Sequence, residues 1–535
     1  MQQQNRLDEA ARVYKRLLVI KPDHAEASNN LACVLQTQGK LAEASARFAQ
    51  ALQLTPHLFG QFGAIRATIV GVLPMLGEAI RRANEMWPQH LPLDRLFDEQ
   101  GRAAISADPL LQTVLRSSPV RDVALERLLT VLRAALLERP ESTRDDLLAL
   151  SCALAQQCFI NEYVFATTPA EQALVEQSKK DMGDISPAQL ARLAMYVPLH
   201  SLTDAKILLD RKWPREVEAL VTQQVREPMQ ERALRPTIPQ LTAIEDVTSQ
   251  RVRQMYEENP YPRWVCGPVE APSTVDRYLR DMFPTAGFVP LDKTEDFDML
   301  LAGCGTGWHP IAAAQKFAGA QVLAIDLSLS SLAYAKRKTP RDVAARIDYR
   351  QADILKLGAL DQRFDVIDAS GVLHHLADPF AGWRILAGLM KPNGFMHLGL
   401  YSELGRRDVV AARAFIAQHG YGTTPGEIRR ARQDLLASPL ASISRFNDFF
   451  STSECRDLLF HVQEHRLTLA KIESMLEANR LRLLGFLLDA SVLAGYTRRF
   501  PDDPARTRFA HWDTLEAEQP ALFAGMYRFW VQRAA

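Results

Sequence analysis

Asp298-Met-Leu-Leu-Ala-Gly303-Cys304-Gly305-Thr306-Gly307-Trp308-His309 decides how this chain is read. The apolar run from Met299 to Ala302 has the character of a strand buried on both faces. It runs into three glycines at alternate positions. Glycine tolerates positive φ and lets a ligand come close to the backbone. The stretch from His309 to Phe317 then predicts a helix, so the turn lies at a helix N-terminus. A nucleotide-like ligand is the natural guest of such a junction. The dinucleotide spacing G-x-G-x-x-G is not met, because Trp308 stands where the third glycine belongs and glycine falls at Gly307.

The residues downstream extend the pattern. Gln321–Asp326 predicts a second strand ending in an acid, 23 residues after Gly303, where a carboxylate can accept hydrogen bonds from both hydroxyls of a ribose. Ser328 is placed to cap a helix from Leu329 to Lys338. A third strand leads to Asp353-Ile354, and Phe364–Ser370 predicts a fourth, followed by Gly371-Val-Leu-His374-His375. Leu389 to Gly399 reads as helix end, turn and fifth strand.

The spacing G-x-G-x-G resembles motif I of the class I S-adenosylmethionine-dependent methyltransferases, and the later elements follow in that family's order over about 298–402. The resemblance implies an α/β fold with a Rossmann-like seven-stranded sheet and S-adenosyl-L-methionine as cofactor. It assigns Gly303, Cys304, Gly305 and Gly307 to the cofactor turn, Asp326 with Leu327 to the ribose, Asp353 with Ile354 to the adenine, and Ser370 to the floor. One position departs from the family. Many members carry an acid two residues before the first glycine, where this chain has Leu301, which leaves a backbone carbonyl near Ala302 or Gly303 for the cofactor's ammonium.

At 535 residues the chain exceeds what one core accommodates, so several domains are expected. With 63 basic and 63 acidic residues it has no electrostatic footprint for nucleic acid or an anionic membrane. No apolar run approaches a membrane span, and the first residues lack a signal-peptide core. Six scattered cysteines, without paired metal spacing, fit a reducing cytoplasm.

The first 57 residues carry a repeat. At an offset of 34, Leu7 matches Leu41, Glu9 matches Glu43, Ala10 matches Ala44, Tyr14 matches Phe48 and Pro22 matches Pro56. This is the period of a tetratricopeptide repeat, with Leu31, Gly39, Ala44, Phe48, Leu52 and Pro56 in consensus places. Such a unit either binds a peptide or caps the domain that follows. Residues 58–240 read as an all-helical domain, with a polar cluster, Gln156-Gln157-Cys158-Phe-Ile-Asn161-Glu162-Tyr163, inside an apolar helix. Residues 241–535 read as the methyltransferase domain: a lid at 248–266, a core at 296–402, a helical insertion at 406–465 and the last strands at 480–534. The final strand alternates and is expected at an antiparallel edge. The lid contains Tyr256-Glu-Glu-Asn-Pro-Tyr261-Pro-Arg263-Trp264 and resembles an element of bacterial proteins that join such repeats to a methyltransferase domain. Its prolines impose an extended loop, and Tyr256, Tyr261, Arg263 and Trp264 are the expected wall of a substrate cleft.

Methyl transfer asks mainly for positioning and exclusion of water, plus a base where the nucleophile must lose a proton. His374 and His375 follow the fourth strand and are the candidates for that base, with His309 a third. His461-Val-Gln-Glu464-His465 matches the zinc pattern H-x-x-E-H, but no third ligand is evident, and no metal is expected. The chain as a whole resembles bacterial tetratricopeptide-repeat methyltransferases, which implies a transferase acting on a protein or a small molecule, with the repeats serving a protein acceptor or partner. The alternative is a non-catalytic interaction scaffold with a silent cofactor domain.

Overall fold

Seven apolar segments of the second half build one sheet. Its strands are β1 (Phe297–Ala302), β2 (Ala320–Asp326), β3 (Ile347–Gln351), β4 (Phe364–Ser370), β5 (Met390–Leu400), β6 (Leu481–Phe486) and β7 (Tyr527–Arg533). The order is β3-β2-β1-β4-β5-β7-β6. Leu300 to Ala302 and Val322 to Ile325 are buried without alternation, as central parallel strands require. β1 pairs in parallel with both β2 and β4, so the chain order reverses there and opens a crevice beyond the strand ends. Ala302 is level with Ile325, Asp326 with Gln351, and Ser370 with Gly399, which brings the turns after β1 to β4 to one edge of the sheet. The expected Rossmann-like sheet is therefore present. The place of the last strand differs from the expectation: β7 is antiparallel but lies between β5 and β6, not at an edge. Phe529, Trp530 and Val531 are all buried, so both faces of β7 are covered as in an interior strand.

The computed structural model describes residues 2–55, 62–139, 146–179, 184–293 and 295–534. The chain packs as two units. The first contains Met1–Gln230, Arg263–Gly267 and Tyr421–Arg456; the second contains Glu231–Pro262, Pro268–Gly420 and Asp457–Ala535. Among the described residues, no single helix is long and apolar enough to cross a membrane.

The first unit is built of helices. Helices Gln2–Ile20, Ala25–Thr37 and Leu41–Leu54 share a small core of Ala11, Leu18, Ala27, Leu31, Leu35 and Ala44. Gly39, at φ 76°, turns the chain between the second and third. Phe48 and Leu52 join the large helical core, with Leu110 and Val114. Pro56 and the expected boundary at 57/58 lie outside the described residues. The stretch read as an insertion in the methyltransferase domain contributes Tyr421–Arg456 to this first unit. The reason is visible at helix Pro425–Leu436, where Arg432 is fully buried. Its guanidinium makes paired bonds of 3.0 and 2.9 Å to the Glu126 carboxylate and donates to the carbonyls of Phe449 (2.7 Å) and Val164 (3.2 Å). Removing one member of such a pair strands a buried charge. Arg432→Ala is expected to cost about 3–5 kcal/mol in a urea titration followed by circular dichroism, and joining Arg432→Met to Glu126→Leu should recover most of that loss.

Candidate functional site

The glycine turn is held by backbone bonds to the neighbouring strand: the N–H groups of Gly303 and Cys304 both donate to the Ile325 carbonyl, at 2.9 and 2.8 Å. Gly303, Gly305 and Gly307 all have positive φ, at 74°, 52° and 90°. A side chain at any of the three would also collide, at 303 with Val372 and at 307 with Ala335. Gly307 then starts helix Trp308–Lys316. Asp326, at the end of β2, accepts from Gly305 N–H (2.8 Å) through one oxygen and Ser328 N–H (2.9 Å) through the other. Burial pushes its carboxyl up to about 6, against the pull of those two N–H groups. Ser328 caps helix Leu329–Lys338 as expected. Leu327 turns its carbonyl to the Gln351 side chain (2.8 Å).

Asp353 is fully buried at the end of β3, beside the buried Ile354. One carboxylate oxygen caps the following turn at Leu355 N–H (2.9 Å). The other oxygen, Oδ2, is buried and has no hydrogen-bond partner among the described residues. A buried acceptor left unmade is costly, and an exocyclic amino group such as that of adenine supplies the missing donor. On this observation the residues fit the cofactor implied by the sequence. Ser370 ends β4, its N–H bonded to Asp368 (3.0 Å). Leu301 is buried within β1.

The lid helix Val247–Glu258 is tied to the same turn. Ser328 Oγ donates to the Tyr256 carbonyl (3.0 Å), and the Glu257 carboxylate accepts from Leu329 N–H (2.5 Å) and Ser330 N–H (3.2 Å), the first turn of the next helix. Thr306 Oγ donates to the Pro262 carbonyl, and a Cβ on Gly305 would stand 2.8 Å from the Tyr261 carbonyl oxygen. Tyr261 stacks on Tyr256, with ring centres 6.3 Å apart. Arg263 and Trp264 belong to the first unit, where the Arg263 guanidinium lies over the Phe159 ring at 5.1 Å. The four lid residues are therefore divided between the two units.

A second cluster lies beyond β4 and β5. His374 is fully buried and stacked on Tyr401 at 3.7 Å, and neither ring nitrogen has a hydrogen-bond partner among the described residues. His375 stacks on His461, also at 3.7 Å, and its Nδ1 lies 2.8 Å from the Gln463 carbonyl. Burial pulls His375 down to about 4 and holds His374 and His461 well below the usual imidazole range. Tyr256 donates to Asp457 (2.6 Å) and lies 3.2 Å from His461 Nε2. The H-x-x-E-H residues diverge: Glu464 pairs with Arg406 (2.6 Å) and Arg413 (3.2 Å), and His465 Nε2 faces the Gln463 side chain (2.9 Å). His461 instead meets His375 and Asp457, their ligand-type atoms within 4.8 Å of one another. Asp457 escaped the sequence reading because it sits in an ordinary helical pattern with no motif around it. His309 is half exposed, 3.9 Å from Asp368, a carboxylate that His397 and His309 together hold at about 2 despite its burial.

Residues 300–398, from β1 to β5, match the family model described as Methyltransferase domain. An uncharacterized protein of Synechococcus sp. is 32% identical over 179 residues, 33% of this chain and 42% of that one. A ubiquinone biosynthesis O-methyltransferase of Leptothrix cholodnii is 34% identical over 107 residues, 20% of this chain and 45% of that one. The chain thus spans less than half the length of these curated relatives. Among solved structures, PKMT2 from Rickettsia typhi in complex with AdoHcy superposes with a TM-score of 0.40 at 17% identity, covering 50% of this chain and 55% of that one. The second unit therefore carries the match to a methyltransferase domain, at residues 300–398.

A carboxylate poised near 6 makes binding depend on pH. Asp326 accepts ribose hydroxyls best when ionised, so protonation competes with the cofactor. Calorimetric titration with S-adenosylhomocysteine is expected to show affinity falling up to about tenfold per unit as pH drops below about 6. Asp326→Asn is expected to bind weakly at every pH and to lose that slope.

Proposed function

We propose that the protein is an S-adenosylmethionine-dependent methyltransferase acting on a protein or a small molecule. The observation that carries this reading is the buried, unpartnered Oδ2 of Asp353, at the same edge of the sheet as Asp326 and the three positive-φ glycines. When bound, the cofactor supplies a methyl group on a sulfonium. Gly303, Cys304, Gly305 and Gly307 form the turn against it, Asp326 and Leu327 the ribose side, Asp353 and Ile354 the adenine side, and Ser370 the floor. The Tyr256 and Tyr261 carbonyls lie against Ser328 and Gly305, which supports a lid role for this segment in keeping water from the turn. His375 and His374 lie beyond β4, on the side where an acceptor enters.

The N-terminal helices, read as tetratricopeptide repeats, serve a protein acceptor or partner in this proposal. The O-methyltransferase names of relatives over the core support an oxygen acceptor. The balanced charge supports neither a nucleic acid nor a membrane as partner. A non-catalytic scaffold is the competing reading, and it predicts cofactor binding without turnover or no binding at all.

Calorimetry with S-adenosylhomocysteine on the intact chain and on Asp353→Ala tests the proposal. Micromolar binding, weakened at least tenfold by the substitution, is expected. Absence of binding by the intact chain would sink it and favour the scaffold.

A further inference from the structure

The histidine cluster contains a proton assignment that one peptide group makes. Gln463 N–H donates to His461 Nδ1 at 3.0 Å, so that nitrogen bears the lone pair and the neutral ring carries its proton on Nε2. That Nε2–H points to Tyr256 Oη at 3.2 Å, and the Tyr256 hydroxyl donates onward to Asp457 at 2.6 Å. The carbonyl of the same residue, Gln463, lies 2.8 Å from His375 Nδ1. A carbonyl only accepts, so His375 carries its proton on Nδ1 and its lone pair on Nε2. Two imidazoles stacked 3.7 Å apart are thus fixed in opposite tautomers.

This assignment separates two readings of the cluster. A metal held through His461 Nε2 requires a lone pair on that nitrogen, and the Gln463 N–H opposes it by holding the lone pair on Nδ1. The ring planes, inclined by 22°, also run nearly parallel, whereas two imidazoles binding one ion radiate from it. The His461–Tyr256–Asp457 line has its protons spoken for. His374 is sealed, at 0% exposure. His375 Nε2 remains, with no hydrogen bond among the described residues.

We propose that His375 Nε2 is the proton-accepting atom of the acceptor site, oriented by the Gln463 carbonyl, and that the acceptor presents a hydroxyl to it. This rests on the methyltransferase reading. A neutral amine has a lone pair ready for attack, whereas a hydroxyl must lose a proton as the new bond forms. In the step, the O–H bond breaks and its proton goes to His375 Nε2. The oxygen pair forms the O–CH3 bond, and the sulfur keeps the electron pair of the broken C–S bond. The imidazolium then returns its proton to water. Gln463, Tyr256, His461 and Asp457 are positioning residues.

Nitrogen-15 NMR of histidine-labelled protein tests this without any methyl acceptor. His375 is expected as the Nδ1–H tautomer and His461 as the Nε2–H tautomer, both unprotonated at pH 6.5. His375→Gln and His461→Gln assign the signals. Should either variant unfold, Tyr256→Phe gives a second handle, since it removes the acceptor of His461 Nε2–H and is expected to shift that ring far more than His375. Gln463→Ala keeps the peptide group and is expected to leave both tautomers in place. Millimolar phenol is expected to shift His375 Nε2, and methylamine is not. The Nε2–H tautomer at His375 overturns the proposal. So does loss of the His461 Nε2 proton on adding zinc, which would make the cluster a metal site. No shift with phenol, or a larger one with methylamine, overturns the hydroxyl assignment. Failure of S-adenosylhomocysteine to bind would strike the methyltransferase reading and leave these tautomers untouched.

Discussion

The carboxylate of Asp326 is the contact on which the rest of the site depends. Its two oxygens take the N–H of Gly305 and the N–H of Ser328, and so join the turn after β1 to the start of the helix after β2. Ser328 in turn caps that helix and donates to the lid at the Tyr256 carbonyl, while Glu257 takes the next two helix N–H groups. Strand end, glycine turn, helix start and lid therefore share one half-buried hydrogen-bond network. Where water is partly excluded such bonds are costly to leave unmade, so the four pieces are energetically coupled.

The second unit keeps two kinds of polar group under cover. Around the glycine turn they are carboxylates, among them Asp353, one of whose oxygens finds no hydrogen-bond partner among the described residues. Beyond β4 and β5 they are neutral imidazoles, packed in rings and kept uncharged by burial. In the proposed function the carboxylates meet amino and hydroxyl donors, and the imidazoles meet a proton to be removed. Both groups stand at the carboxyl ends of parallel strands, where the reversal of strand order leaves a crevice.

Much of this was legible in the chain. Gly303, Gly305 and Gly307 announce positive φ because no other residue adopts it so freely, and all three show it. Ser328 reads as a helix cap and is one. The apolar runs of β1, β2 and β4 mark strands covered on both faces. The last strand was misplaced, because alternation shows that a segment is extended but not which neighbours it pairs with. Asp457 was invisible, since its meaning comes from Tyr256, about 200 residues earlier in the chain. H-x-x-E-H was legible and misleading: its Glu464 is spent on arginines, and its histidines turn different ways.

The sequence by itself determined the local geometry. Glycine spacing, strand-end acids and helix caps act over a few residues, and their physics is steric exclusion and near-neighbour hydrogen bonding. Only the tertiary structure decided which polar atoms ended buried without a partner and which lone pairs remained. The Asp353 oxygen and the His375 tautomer depend on groups that meet only when distant segments pack, whereas the Gln463 N–H that sets His461 is a near neighbour in the chain. Desolvation, which gives those atoms their chemistry, is a property of the packed interior and not of any stretch of chain.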